Sequence, residues 1–175
     1  MEHGCYEFNA DLSQWNVSRV LVTEGMFEEC YALTGYLGKL GRCVCIGNMK
    51  RMFLYCVNFR GDLSNWPVSQ VFSFDSVFAY CLRFTGQGVR DWDASNCHSF
   101  RRMFEDCYLF NAGLTRWNVH YSSSSFNPML KDCHEFNCDL SQWKIRDGCD
   151  VERMLYHCRR SDTCRFAANA RQCCM

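Results

Sequence analysis

Apolar residues return to fixed places along this chain. Cys5, Cys30, Cys56, Cys81, Cys107, Cys133 and Cys158 follow one another at 25 or 26 residues. Relative to Cys56, Cys81, Cys107 and Cys133, apolar residues stand seven, four and three places before the cysteine, at it, and three places after it. Around Cys107 they are Phe100, Met103, Phe104, Cys107 and Phe110. That spacing is the stripe of a short amphipathic helix. Eight places before the cysteine stand Asn48, Ser73, Ser99, Ser125 and Asp150, all good N-cap residues; only Val22 breaks the row. Pro128 falls in the first turn of its expected helix, where a missing N–H does little harm.

The rest of each unit reads differently. In "DLSQWNVSRV", Asp11 to Val20, apolar and polar residues alternate with a period near two, and Leu12, Trp15, Val17 and Val20 are the apolar members. Such a segment suits a half-buried strand, with Asp and Ser at the turns. A short strand is expected around residues 17–22 and its equivalents. All five tryptophans, Trp15, Trp66, Trp92, Trp117 and Trp143, share one column. One unit cannot bury these side chains alone, but stacked copies can. The pattern therefore predicts an α/β fold, a solenoid of about six repeats of 25–26 residues, each a short strand plus a short helix, leucine-rich-repeat-like. The repeats occupy residues 1–158, and residues 159–175 form a degenerate Cys-rich tail or cap.

The ordered phrase of aromatic, Asp-Leu-Ser, Trp, Val-Ser, then Met-Phe and Cys resembles the BspA-type leucine-rich-like repeat, DUF285, from Met1 to about Cys158. The resemblance implies a repeat solenoid of surface or secreted proteins that mediate adhesion and protein binding, with no shared catalytic residues. The second unit departs from it: "LTGYLGKLGRCVCIGN" lacks the Asp and Trp and gains glycines. Met1 aligns inside an expected helix, so a fragment, or an end covered by a partner or by further repeats, is expected.

Composition narrows the function. The formal net charge is zero, which argues against a nucleic-acid binder driven by phosphate attraction. No run of about 18 apolar residues suggests a transmembrane helix, and the opening residues do not read as a secretory signal. The family resemblance points to the cell surface, whereas an abundance of thiols allows an intracellular location, so the compartment is left open. Of the fifteen cysteines, the seven periodic ones read as a buried, reduced ladder of small apolar residues. Cys45 and Cys97 replace core valines, while Cys43, Cys138 and Cys149 stand off the ladder.

The tail holds the one metal-like grouping: His157, Cys158, Cys164, Cys173 and Cys174. Its spacing matches no standard zinc module. His3, His98, His120, His134 and His157 are scattered, and the repeat itself places no two of them together. The Asp11, Asp62 and Asp139 column reads as a recurring turn residue. The basic pairs Lys50-Arg51 and Arg101-Arg102 are balanced by Glu28-Glu29 and Glu105-Asp106, as solvated faces are. No cofactor motif is present, and no catalytic set stands out. The reading is a non-enzymatic protein–protein interaction or adhesion-type scaffold with protein partners. A structural subunit of a larger assembly, in an alga or protist, is the alternative, and a Cys-rich metal-binding or redox protein comes third. Contact residues are expected among variable positions near strands and helix starts: Phe72, Phe74, Phe100 and Arg101.

Overall fold

The computed structural model describes residues 4–12, 14–17, 20, 22–35, 37, 47–119, 125–145 and 147–158. It overturns the expected α/β solenoid of strand plus helix. Among the described residues the only helices are two single 3-10 turns, Val68–Gln70 and Val89–Asp91, and neither lies on the predicted helix stripe. There is no sheet among them either. Pairing is limited to isolated parallel bridges, Asn48 to Ser73, Ser73 to Ser99, Ser99 to Ser125 and Ser125 to Asp150. The tail, residues 159–175, lies outside the described residues.

The backbone dihedrals explain the missing helix. Ten non-glycine residues have positive φ, between 53 and 63°. All ten fall in two columns, five places and one place before the ladder cysteine. The first holds Arg51, Ser76, Arg102 and Arg153, with Gly25 in the same place; the second includes Glu29, Tyr55, Tyr80, Asp106, Asp132 and His157. A left-handed residue ends a right-handed helix at once. The stripe instead bends through consecutive four-residue turns. In one unit Met52 N–H donates to Met49 C=O at 3.0 Å, Cys56 to Phe53 at 3.0 Å, and Phe59 to Cys56 at 3.0 Å. In the first two turns the third residue, Arg51 or Tyr55, has positive φ, as a type II turn requires. The inward corners are Met49, Met52, Phe53, Cys56 and Phe59, all with no exposed surface. Consecutive turns thus reproduce the three- and four-residue spacing of a helix without its hydrogen bonds.

The remaining N–H groups reach the next unit. Met49 donates to Ser73 C=O at 3.1 Å, Arg51 to Asp75 at 2.9 Å, Phe53 to Val77 at 2.9 Å and Tyr55 to Ala79 at 2.9 Å. Alternate N–H groups therefore close a turn at home or bond to the neighbour, which satisfies the buried backbone without a regular ladder. The row read as N-caps does cap, but it caps turns: Asn48 Oδ1 accepts from Lys50 N–H at 2.9 Å, and Asp150 Oδ1 from Glu152 N–H at 3.2 Å.

Side chains stack in the same rhythm. Phe27, Phe53, Phe78 and Phe104 form a column with ring centroids 5.5, 5.5 and 5.7 Å apart. Trp92, Trp117 and Trp143 follow at 6.4 and 6.5 Å, nearly parallel. Each such pair adds about 0.5–1.5 kcal/mol beyond area burial. Trp15 stands apart from its column and is 47% exposed.

Candidate functional site

Two inner columns share one piece of chemistry. The Cys56 thiol donates to Phe27 C=O at 2.9 Å, Cys81 to Phe53 at 3.1 Å, Cys107 to Phe78 at 2.9 Å, Cys133 to Phe104 at 3.0 Å and Cys158 to Leu130 at 3.0 Å. The indole N–H of Trp92, Trp117 and Trp143 likewise donates to Leu63, Val89 and Leu114 C=O, at 3.1, 2.8 and 2.9 Å. Phe53 C=O and Leu63 C=O also close turns in their own units, through Cys56 N–H and Trp66 N–H. Both lone pairs of such a carbonyl are therefore used, one locally and one by the following unit. Cysteine fits this place because it is small, apolar and still a weak donor.

Burial makes these thiols poor nucleophiles. It pushes Cys30 up to about 11 and Cys97 up to about 12, and it raises Cys56, Cys81, Cys107 and Cys133 as well, with neighbouring thiols or carboxylates adding to the effect. A thiol held protonated is inert as a metal ligand or attacking group. Of the tail grouping, the Cys158 thiol is buried and bonded to Leu130, while Cys164, Cys173 and Cys174 lie outside the described residues. Among the described residues no three His, Cys, Asp or Glu side chains are placed to hold an ion.

The four contact residues expected from sequence do not form one surface. Phe74 and Phe100 have no exposed surface and stack at 5.9 Å inside the core. Phe72 is 51% exposed and lies over Gly47, and Arg101 is exposed with its N–H on Asp75 Oδ1 at 3.1 Å. Phe74 and Phe100 were misplaced because a turn corner and a turn flank differ by a single residue.

The structure assembles a different face. The turn nearest the ladder cysteine carries outward aromatic and charged side chains one or two places on either side of it. Tyr6 lies tilted against Tyr31 at 4.9 Å, while Tyr55 stacks on Tyr80 at 4.5 Å and Tyr108 on His134 at 4.6 Å. Tyr31 is 38% and Tyr108 37% exposed. Charges link the units here. Glu105, 4% exposed, takes Arg102 Nε at 2.5 Å and Lys131 Nζ at 2.9 Å, and Arg51 pairs with Glu28 in the preceding unit. His157 Nδ1 meets Asp132 Oδ1 at 3.0 Å. Partial burial, and then the nearby Asp132 carboxylate, raise the Asp106 carboxyl above the usual aspartate range. Burial, and then the Glu105 and Asp106 carboxylates, raise the Tyr80 hydroxyl; burial, and then Asp106, raise that of Tyr108.

A cavity of about 340 Å³ at the end of this face is lined by Asp132, His134, His157 and Cys158. Two histidines thus meet, although the repeat column reading kept them apart. The signal was available, since His134 follows one ladder cysteine and His157 precedes the next. The Asp column is occupied with turns: Asp62 Oδ1 accepts from Ser64 N–H at 2.9 Å and from its hydroxyl at 2.5 Å, and Asp139 Oδ1 from Ser141 N–H at 2.8 Å. The Ser64 bonds lower the Asp62 carboxyl below its usual range.

The outer flanks of these turns carry aromatic and charged side chains. The family model described as "Mycoplasma protein of unknown function, DUF285" matches residues 1–41, 42–125 and 87–167, and the chain belongs to this family. No curated protein and no solved structure matches the chain.

Proposed function

We propose that the protein is a non-enzymatic protein-binding module, and that its contact surface is the outward tyrosine-bearing face beside the cysteine ladder. The observation that carries this reading is the set of outward ring pairs held on a dense core: exposed Tyr6 tilted against exposed Tyr31, and exposed Tyr108 stacked on half-buried His134. Tyrosine gives large contact area at small cost in side-chain entropy, and it is enriched at binding hot spots. The groups that catalysis would need are committed elsewhere. The thiols of Cys56, Cys81, Cys107 and Cys133 are bonded to carbonyls and pushed up by burial, and Asp62 and Asp139 hold turns.

The test is affinity capture followed by titration with the purified captured protein. A saturable one-to-one complex is expected, weakened about a hundredfold by the double change Tyr31→Ala and Tyr108→Ala, at about 1–2 kcal/mol for each lost contact. Phe72→Ala should leave it unchanged. Absence of a saturable partner, or a complex indifferent to both tyrosines, overturns the reading.

A further inference from the structure

Junctions between successive units repeat two kinds of bond. The N–H seven places before one ladder cysteine reaches the C=O eight places before the next: Met49 to Ser73 at 3.1 Å, Phe74 to Ser99 at 3.0 Å, Phe100 to Ser125 at 3.1 Å and Phe126 to Asp150 at 2.8 Å. Two places further on, Gly25 reaches Lys50 at 3.0 Å, Arg51 reaches Asp75 at 2.9 Å and Ser76 reaches Arg101 at 2.8 Å. In the other direction, the indole N–H of Trp92, Trp117 and Trp143 reaches a carbonyl of the unit before. The two ends of the described stack hold the separate halves of one more such junction. Val151 and Arg153 stand in the donor places of the last described unit, and their N–H groups have no acceptor among the described residues. Val22 and Glu24 stand in the acceptor places of the first, and their C=O groups have no donor among them. The Trp15 indole, 47% exposed, likewise has no acceptor there. Leu140 C=O, in the column of Leu63, Val89 and Leu114, closes its own turn with Trp143 N–H at 3.0 Å and receives no indole. We infer that two copies of this chain dock head to tail: Val151 and Arg153 of one donate to Val22 and Glu24 of the other, whose Trp15 indole reaches Leu140 of the first.

Unpaired backbone rows are templates for pairing with another chain. A row of carbonyls cannot pair with itself, so the contact joins unlike ends, and such a contact propagates or closes into a ring. The register is the one that the internal junctions already use. Val22, 69% exposed, and the Trp15 ring would be covered in the process, and a tryptophan seated at an interface is a strong anchor. A Cβ at Gly4 would come within 2.8 Å of Glu29 Cβ, so that part of the first unit is filled and the junction uses the Val22 and Glu24 end of the row. The inference does not rest on the tyrosine face.

The test is analytical ultracentrifugation of the full 175-residue chain. The mean mass should rise with concentration and pass that of a dimer. Trp15→Ala should weaken association about thirtyfold. Its urea midpoint should be unchanged, because the ring is exposed in the single chain. Phe72→Ala, also exposed but away from both ends, should have no effect. A Trp15→Ala copy keeps its donor end, so a small share of it should cap native assemblies and lower their mean mass. Val151→Pro loses a donor N–H and keeps its acceptor end. Mixed with Trp15→Ala, it should form one-to-one pairs and nothing larger, at a concentration where neither variant self-associates. If Val151→Pro does not fold, the capping result decides. A chain that is monomeric at every concentration, association indifferent to Trp15→Ala, native mass unmoved by the capping copy, or folded variants that fail to pair overturns the inference. In each of those cases a captured partner that depends on Tyr31 and Tyr108 leaves the binding-module reading standing.

Discussion

The inner corners of the turns and their outer flanks differ in how freely they vary. At the corners the same residue returns unit after unit: cysteine at the ladder, phenylalanine three places before it in Phe27, Phe53, Phe78 and Phe104, and tryptophan in Trp92, Trp117 and Trp143. One place before the cysteine, the outer flank reads Glu29, Tyr55, Tyr80, Asp106, Asp132 and His157. All six share one backbone conformation, with φ between 59 and 63°. The dihedral angle is therefore imposed by the stack and not by the residue. A corner touches its own copies above and below, so its size and its donor must match theirs. A flank side chain leaves the stack and answers to its surroundings.

The sharpest way to break this comparison is to empty one corner and one flank. Phe78 has no exposed surface and stacks on Phe53 and Phe104. Phe78→Ala should cost about 3–5 kcal/mol in urea unfolding, whereas Tyr108→Ala should cost about 1 kcal/mol or less. Equal costs would mean that the aromatic columns are not the source of cohesion. A finer test separates size from donor at the ladder. Cys107→Val keeps the place apolar but adds bulk and removes the thiol donor to Phe78 C=O. It should cost about 1–3 kcal/mol, read as a lower urea midpoint at unchanged slope. Stability equal to the native chain would reduce the thiol to mere filler.

The smallest effect belongs to the flank. The folded Asp106 holds its proton to a higher pH than the unfolded chain does. Stability from the protonated carboxyl is full below the usual aspartate range and is lost as pH rises through the raised folded value. At pH 7 the ionised group is a small liability, screened because the side chain is partly exposed. Asp106→Asn should therefore raise stability at pH 7 by a few tenths of a kcal/mol, and the gain should shrink toward pH 3. A gain independent of pH would assign the effect to the left-handed backbone instead, which asparagine tolerates well.

Much of the inside was legible in the chain. The period, the phenylalanine column and the burial of the ladder from Cys30 to Cys158 follow from spacing, whereas Cys5 is exposed and the helix N-caps read at Asn48 and Asp150 have no helix to cap. The helix did not follow, because spacings of three and four report which residues face inward and not the dihedral angles that turn them there. Glycine would have marked the left-handed places, yet of the positive-φ residues in the two columns only Gly25 is a glycine. Arg51, Tyr55 and Asp106 give no such sign in sequence. The outer face was missed for a related reason. Phe72, Phe74, Phe100 and Arg101 were ranked along a strand and helix start that the backbone does not make.

What the sequence determined by itself is the repeat of 25 or 26 residues and the identity of each inner column. Side chains that pack on their own copies must recur at a fixed interval, so the contact is written into the chain. Only the tertiary structure decided that the path between columns is a run of turns, and that tyrosines and carboxylates of successive units meet on one face. Each turn is closed partly by hydrogen bonds from a unit some 25 residues away, such as Arg51 to Asp75 and Tyr55 to Ala79. No local stretch carries that information, because half of the backbone's partners arrive only when the units stack.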